Sequence, residues 1–270
     1  MTLEDIDFAA LYREHMQAWS AAPKNAFDWD SRAAGYARNS GQSNYARDFI
    51  ACLDLSGAKT LLDVGCGPGT LALPLARRLD RVVAIDYSIG MLQALRDRAR
   101  ASAIDNIDLH HLAWTDDWSA VPVCDIAIAS RSTTVADLAA ALAKLRAHAR
   151  QRVLISYPAV GHMIDDDILA AVGSAALPLP DLLLVLGMLR QTGIRPTVNY
   201  IETPSRLAGC IDFDDFAQRV AWSAGPIDAT ARQRLKSWYD ADPQRARSGG
   251  RPMRWALIGW QVDGRSRLKG

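Results

Sequence analysis

The 270 residues, 49% hydrophobic and 23% charged, can bury one sizeable core or two small ones, which excludes a disulfide-stapled miniature and a disordered tail. Lys and Arg number 31 against 30 Asp and Glu, a formal net charge of +1, so no overall field draws the chain to nucleic acid or to an acidic membrane. The greasiest run, residues 182–189, is far short of the roughly 20 residues that span a bilayer.

The first seven residues are acidic where a secretory signal is basic, and Cys52, Cys66, Cys124 and Cys210 are scattered with no C-x-x-C pair. Reduced thiols and a cytoplasmic setting are therefore expected. An aromatic stretch over 27–36, then a helix over 42–53 with Tyr45, Phe49 and Leu53 on one face, predicts a helical cap. From residue 60 onward strand and helix signals alternate: strands at 60–65, 81–86, 107–113, 124–130 and 152–157, with helices at 70–79, 88–101 and 135–149. Most of these strands are apolar on both faces, as strands of a covered parallel sheet must be. The alternation then loosens into a helix from about Asp165, a break at Pro178 and Pro180, a Leu-rich helix ending at Gln191 and a strand at 197–202. Amphipathic helices over 213–222 and 229–240 precede a last strand at 254–262. With no internal repeat, the economical reading is one α/β domain over residues 1–270: a cap over 1–58, a core over 59–157 and acceptor-side elements over 158–270.

The chemistry concentrates in Leu61-Leu-Asp63-Val-Gly65-Cys66-Gly67-Pro68-Gly69-Thr70, a strand that ends in three alternating glycines and runs into a helix. Glycines allow a tight turn and close approach of a ligand, and a helix N-terminus offers free N–H groups to an anion. The dinucleotide fingerprint is G-x-G-x-x-G; here Thr70 stands near the place of its third glycine, which weakens nicotinamide and flavin readings. Asp86 ends the next strand 17 residues after Gly69, a carboxylate placed to accept from both hydroxyls of a ribose. A nucleoside ligand is indicated.

Over residues 27–157 the passage LLDVGCGPGT…VVAIDYSIGML resembles the class I S-adenosylmethionine-dependent methyltransferases. The resemblance implies a Rossmann-like, doubly wound, seven-stranded and mostly parallel sheet with the last strand antiparallel and helical cap insertions. It implies S-adenosylmethionine as cofactor, with Asp63, Gly65, Cys66, Gly67 and Gly69 around its methionine part, Asp86 on the ribose, and Tyr87 and Met91 against the adenine. Trp114 and Thr115 occupy the place of the adenine-edge contacts, Ser130 ends the fourth strand, and Tyr36 matches the cap aromatic that touches the cofactor. Methyl transfer from a sulfonium is an in-line displacement that needs alignment and exclusion of water more than a general base, and no catalytic residue stands out. Ligands of open α/β sheets sit at the carboxyl ends of strands, so Ser130, Arg131, Ser132, Tyr157, Pro158 and His162, with Trp29 of the cap, are expected to face the acceptor, and Arg131 could hold an anionic one.

Blander readings stand beside these. Cys66 between two glycines reads as small filler, the other cysteines as buried apolar residues, and His162 as either a solvated loop residue or a proton acceptor. His110 and His111 point to opposite faces of one strand and cannot share a metal ion, so no metal is expected. Asp165, Asp166 and Asp167 read as helix N-terminal acids. Trp222, Trp238, Trp255 and Trp260 read as core, and Trp29 and Trp114 as site residues. Residues 245–270 hold seven Lys and Arg and one acid, a solvated loop and tail or a patch for RNA. The family's [Asp/Asn]-Pro-Pro-aromatic signature for nucleobase amino methylation is replaced by Ala129-Ser-Arg-Ser132, which argues for a small-molecule acceptor and against nucleic acid. Monomer and homodimer both remain open, as do an enzyme acting on RNA or protein and a non-catalytic cofactor-binding subunit.

Overall fold

A computed structural model describes residues 2–19, 24–39, 44–175 and 177–262. Four short helices lead in: α1 (Phe8–Ala18), α2 (Ala26–Asp30), α3 (Ala33–Asn39) and α4 (Tyr45–Ala51). The alternating core follows as β1 (Thr60–Val64), α5 (Ala72–Ala76), β2 (Arg81–Asp86), α6 (Ile89–Ala101), β3 (Ile107–His111), β4 (Cys124–Ala129), α7 (Leu138–Ala147) and β5 (Ala149–Pro158). Then come α8 (Asp166–Ala171), α9 (Leu182–Gln191), β6 (Thr197–Thr203), α10 (Phe213–Ala224), α11 (Ala229–Ala241), α12 (Pro243–Ser248) and β7 (Met253–Gln261).

The seven strands form one sheet in the order β3-β2-β1-β4-β5-β7-β6. β1 to β5 pair in parallel, and β7 runs antiparallel to both β5 and β6. This is the expected doubly wound sheet, with β7 the one reversed strand. Because β7 opposes both neighbours, β6 points the same way as β5, and the loop after Thr203 emerges on the carboxyl edge shared by β1, β2, β4 and β5.

Side-chain alternation splits the core into two layers. Leu62, Val64, Val83, Ile85, Ala127 and Ile155 face α1, α7 and α9, while Leu61, Val82, Ala84, Ile126, Ile128 and Leu154 face α4, α5 and α6. A third cluster, including Ile168, Phe216, Val220 and Leu235, joins α8, α10 and α11 away from the sheet.

Helix starts are set by short polar side chains. Ser88, Asp137, Asp212 and Asp228 each accept a hydrogen bond from an amide three residues on, satisfying a donor that the first turn leaves free. Several predicted boundaries move. The helix expected over 70–79 shortens to α5, because residues 65–71 are spent on the glycine turn. The helix expected from Val135 to Ala149 starts at Leu138, capped by Asp137, and Ala149 opens β5. Helices α1 and α12 carry no expectation from the sequence. The first two residues of the predicted 42–53 helix, and residues 263–270 of the basic tail, lie outside the described residues. No described helix is long and apolar enough to cross a membrane.

Candidate functional site

The turn after β1 is built on three glycines with positive φ: Gly65 at 70°, Gly67 at 53° and Gly69 at 82°, the left-handed region where other residues are strained. The amides of Gly65 and Cys66 both donate to the carbonyl of Ile85, at 2.8 and 3.0 Å, which hooks the turn over the end of β2. A Cβ at Gly65 would lie 2.3 Å from Ser132 Cβ, and one at Gly69 2.3 Å from Leu95 Cδ1, whereas Gly67 faces open space. Ser132 seals the contact by donating from Oγ to the Val64 carbonyl at 2.7 Å.

Two buried carboxylates flank this turn. Asp86 accepts from Gly67 N at 2.8 Å and from Ser88 N at 2.9 Å, so it ties the glycine turn to the start of α6. Burial raises its pKa, opposed by those amides. Asp63 is fully buried and its Oδ2 has no hydrogen-bond partner. Burial first, then the charge of Asp86, push its pKa up to about 7, against the lowering effect of the Ala72 amide. An unpaired carboxylate oxygen under a glycine turn is a costly arrangement that a cationic donor would complete.

The cap closes over this acidic end. Asp30, from α2, accepts from Ser88 Oγ at 2.5 Å and Gly90 N at 2.8 Å, and a Cβ on Gly90 would meet Asp30 Cα at 3.0 Å. Tyr87 donates its hydroxyl to the Lys24 carbonyl at 3.0 Å, and its own carbonyl meets His111 Nε2 at the same distance. Met91 is buried beneath, its amide bonded to Ser88 Oγ. Trp29 stands edge-on between Tyr36 and Trp222, at 5.8 and 5.7 Å between centroids.

Beside β1 the carboxyl ends of β4 and β5 carry a hydroxyl relay. Tyr45 OH donates to Ser156 Oγ at 2.9 Å and lies 2.7 Å from Ser130 Oγ. Arg131 follows with a φ of 56°, its amide bonded to Ser156 Oγ at 2.8 Å and its guanidinium 4.3 Å from the centre of the Tyr45 ring. Non-glycine residues rarely hold such a φ, and they do so chiefly at functional sites. Trp114 donates from Nε1 to the Ser132 carbonyl at 3.0 Å and stacks on Trp118, and Thr115 next to it is exposed.

The structure thus brings the glycines, Asp63, Asp86, Tyr87, Met91, Ser130, Arg131 and Trp114 to one edge, with Trp29 and Tyr36 on the cap above. Some expectations fail. Tyr157 does not face that edge: it is fully buried between sheet and helices, with its hydroxyl donated to the Pro180 carbonyl at 2.9 Å, because alternation along β5 turns Tyr157 inward and Ser156 toward Tyr45. His162 pairs through Nδ1 with Asp166 at 2.8 Å and lines a small hollow with Trp19 and Leu179. Trp222 is only half-buried and carries the Arg32 guanidinium 3.9 Å and the Lys24 ammonium 4.6 Å from its ring centre, a surface role where core packing was expected. Asp165 stands at the N-cap of α8 without making a cap bond, held instead by Arg245 and Arg251. Burial pushes the Cys66 thiol well up, which suits inert filler. Among the described residues no group of three His, Cys, Asp or Glu side chains could hold a metal ion.

Sequence reasoning passed over Asp30, the Tyr45 hydroxyl, Ser156 and Arg206, and it took Ser132 for a substrate-facing group where the structure ties its hydroxyl to the Val64 carbonyl. For the serines a signal existed, since a hydroxyl at the end of an otherwise apolar strand has to find a partner; for Asp30 and Arg206 none did.

Comparisons with known proteins bear on this geometry. A family model described as a methyltransferase domain matches residues 61–152. An uncharacterized protein of Haemophilus influenzae is 34% identical over 273 residues, covering 97% of this chain and 99% of its own. The 23S rRNA (uracil(1939)-C(5))-methyltransferase RlmD of Xylella fastidiosa is 41% identical over only 59 residues, 21% of this chain and 13% of that enzyme. Among solved structures, phosphoethanolamine N-methyltransferase 2 of Haemonchus contortus, in complex with S-adenosyl-L-methionine, superposes with a TM-score of 0.54 at 15% identity, over 89% of this chain and 60% of its own.

Proposed function

Because a methyltransferase-domain model matches residues 61–152, we propose that the chain is a class I S-adenosylmethionine-dependent methyltransferase that transfers the methyl group to a small-molecule acceptor, as one domain over its whole length. The observation that carries this reading is the coupled pair of acids around the glycine turn: Asp86 clamped to Gly67 and Ser88, and Asp63 buried with one oxygen unpaired.

These residues fit the cofactor. Asp63 would hold the ammonium of the methionine part, whose charge compensates the unpaired oxygen, and the open side of Gly67 admits close approach of the chain. Asp86 would receive the ribose hydroxyls, and Tyr87 and Met91 would bound the adenine with Trp114 and Thr115 at its edge. Bound there, S-adenosylmethionine supplies an electrophilic methyl on a sulfonium. The protein's part is to align and to exclude water: Asp30 holds the cap on α6, and Trp29, Tyr36 and Trp222 form an aromatic wall beside the opening. Ser130, half-buried and backed by the buried hydroxyls of Tyr45 and Ser156, can hold an acceptor atom without ionisation of the chain behind it, since burial keeps the Tyr45 phenol above its ordinary pKa.

A small acceptor is favoured because the match to the RNA-modifying relative is confined to 13% of that enzyme. The working form would be a cytoplasmic monomer or homodimer. Calorimetric titration with S-adenosylhomocysteine, with NADH and Asp86→Asn as controls, tests the reading. Saturable binding of the first ligand alone, weakened at least tenfold by the substitution, is expected; a folded protein that binds neither ligand would overturn it.

A further inference from the structure

The opposite end of the same edge carries three arginines with no carboxylate partner. Arg32 lies flat on Trp222 and Arg131 on Tyr45, at 3.9 and 4.3 Å from the ring centres. Arg206 follows Thr203 by three residues on the loop after β6, the strand whose direction delivers that loop to the carboxyl edge. Thr203 is itself tied back to the site: its Oγ1 meets Trp255 Nε1 at 3.3 Å, and Trp255 packs edge-on against Tyr45. Arg206 is exposed, and Tyr36, Arg131 and Arg32 all lie within electrostatic reach of its guanidinium.

None of the three guanidiniums makes an ion pair with a described residue. Asp215 feels the charge of Arg32, but both its oxygens already bond Arg219 at 2.8 and 2.9 Å. Three cations at one edge raise the local positive potential, and guanidiniums held over aromatic rings are suited to bidentate anion recognition. The cofactor would bring a single carboxylate, too little negative charge for three guanidiniums.

We infer that Arg32, Arg131 and Arg206 form an anion subsite for the methyl acceptor, which therefore carries a carboxylate or phosphate group. The subsite rests on the methyltransferase reading above. It places the acceptor's anionic end toward β6 and the loop after β4, and its nucleophile toward Ser130 and the glycine turn.

The test is a tryptophan-fluorescence titration of the full chain with inorganic phosphate and with succinate, chloride-balanced to constant ionic strength, with and without saturating S-adenosylhomocysteine; Trp222, under Arg32, is the reporter. Saturable binding of either anion is expected, weakened at least tenfold in Arg206→Gln and in Arg131→Gln and partly kept in Arg206→Lys. In both glutamine variants, S-adenosylhomocysteine affinity should stay within about threefold of wild type. Phosphate alone binding assigns a phosphate-bearing acceptor, succinate alone a carboxylate. A wild-type protein that binds S-adenosylhomocysteine but neither anion overturns the subsite, as does a fall in S-adenosylhomocysteine affinity matching the loss of anion binding, which would give the arginines to the cofactor's own carboxylate. Failure of S-adenosylhomocysteine to bind wild type is a separate result: it sinks the methyltransferase reading, while the anion arms on the free protein still decide the subsite.

Discussion

The carboxyl edge of the sheet has two halves of opposite charge. At β1 and β2 it is acidic: Asp63, Asp86 and, from the cap, Asp30 surround the glycine turn. At the ends of β4 and β6 it is basic, with Arg131 and Arg206 within electrostatic reach of one another and of Arg32 from the cap. The acidic half is tied together by backbone amides and nearly complete; one oxygen of Asp63 lacks a partner. In the basic half two of the three guanidiniums lie over aromatic rings, and none pairs with an acid among the described residues. Backbone amides thus hold the acidic half, whereas the basic half is held by side chains alone.

The sharpest way to break the acidic half is through its glycines. Gly65→Ala combines a left-handed φ with a Cβ 2.3 Å from Ser132, so both strain and clash act, and a loss of roughly 3 kcal/mol or more is expected with cofactor binding abolished. Gly67→Ala keeps only the φ penalty, on the order of 1 kcal/mol. Chemical denaturation of the two variants measures the difference, and equal losses would refute the steric assignment.

Asp63→Asn sharpens the comparison by separating stability from function. The folded protein raises the Asp63 pKa from 3.8 to about 7. It therefore binds a proton that the unfolded chain has released, and ligand-free stability falls as pH rises through that interval, by up to about 4 kcal/mol. The neutral variant lacks this fall and should melt higher than wild type at pH 8, while binding S-adenosylhomocysteine at least tenfold more weakly. In wild type that affinity should strengthen as pH rises through about 7, when the carboxylate forms. A variant that melts lower and binds normally would show that the unpaired oxygen has no ligand role.

On the basic half the effect is smaller. Arg131 sits at a φ of 56°, so Arg131→Gly should be more stable than Arg131→Ala by about 1 kcal/mol, although both lose the same guanidinium. Urea midpoints of the pair decide it, and an Ala variant as stable as Gly would mean the backbone relaxes once the Tyr45 contact is gone.

What was legible in the sequence follows how far apart the cooperating residues lie. The glycine turn, Asp63 and Asp86 span 24 positions and are joined by one strand-turn-helix-strand unit, whose geometry is local and recurs wherever that pattern is written. The alternating strands likewise announced the sheet, because apolar residues on both faces can be buried in few other ways. Tyr45 was legible only as an apolar helix residue, since the hydroxyl's destination, Ser130 and Ser156, lies more than 80 positions away.

By itself, then, the chain determined the sheet, the glycine turn and the acid that ends β2, all products of neighbouring φ, ψ and side-chain period. Tertiary structure alone decided that β6 would pair with β7, run in the same direction as β5 and bring Arg206 to the edge of Arg131, that Asp30 would close on α6, and that Tyr157 would turn inward while Ser156 met Tyr45. Strand order and inter-element contact are set by how whole faces bury one another, and no local window of sequence contains both partners of such a contact.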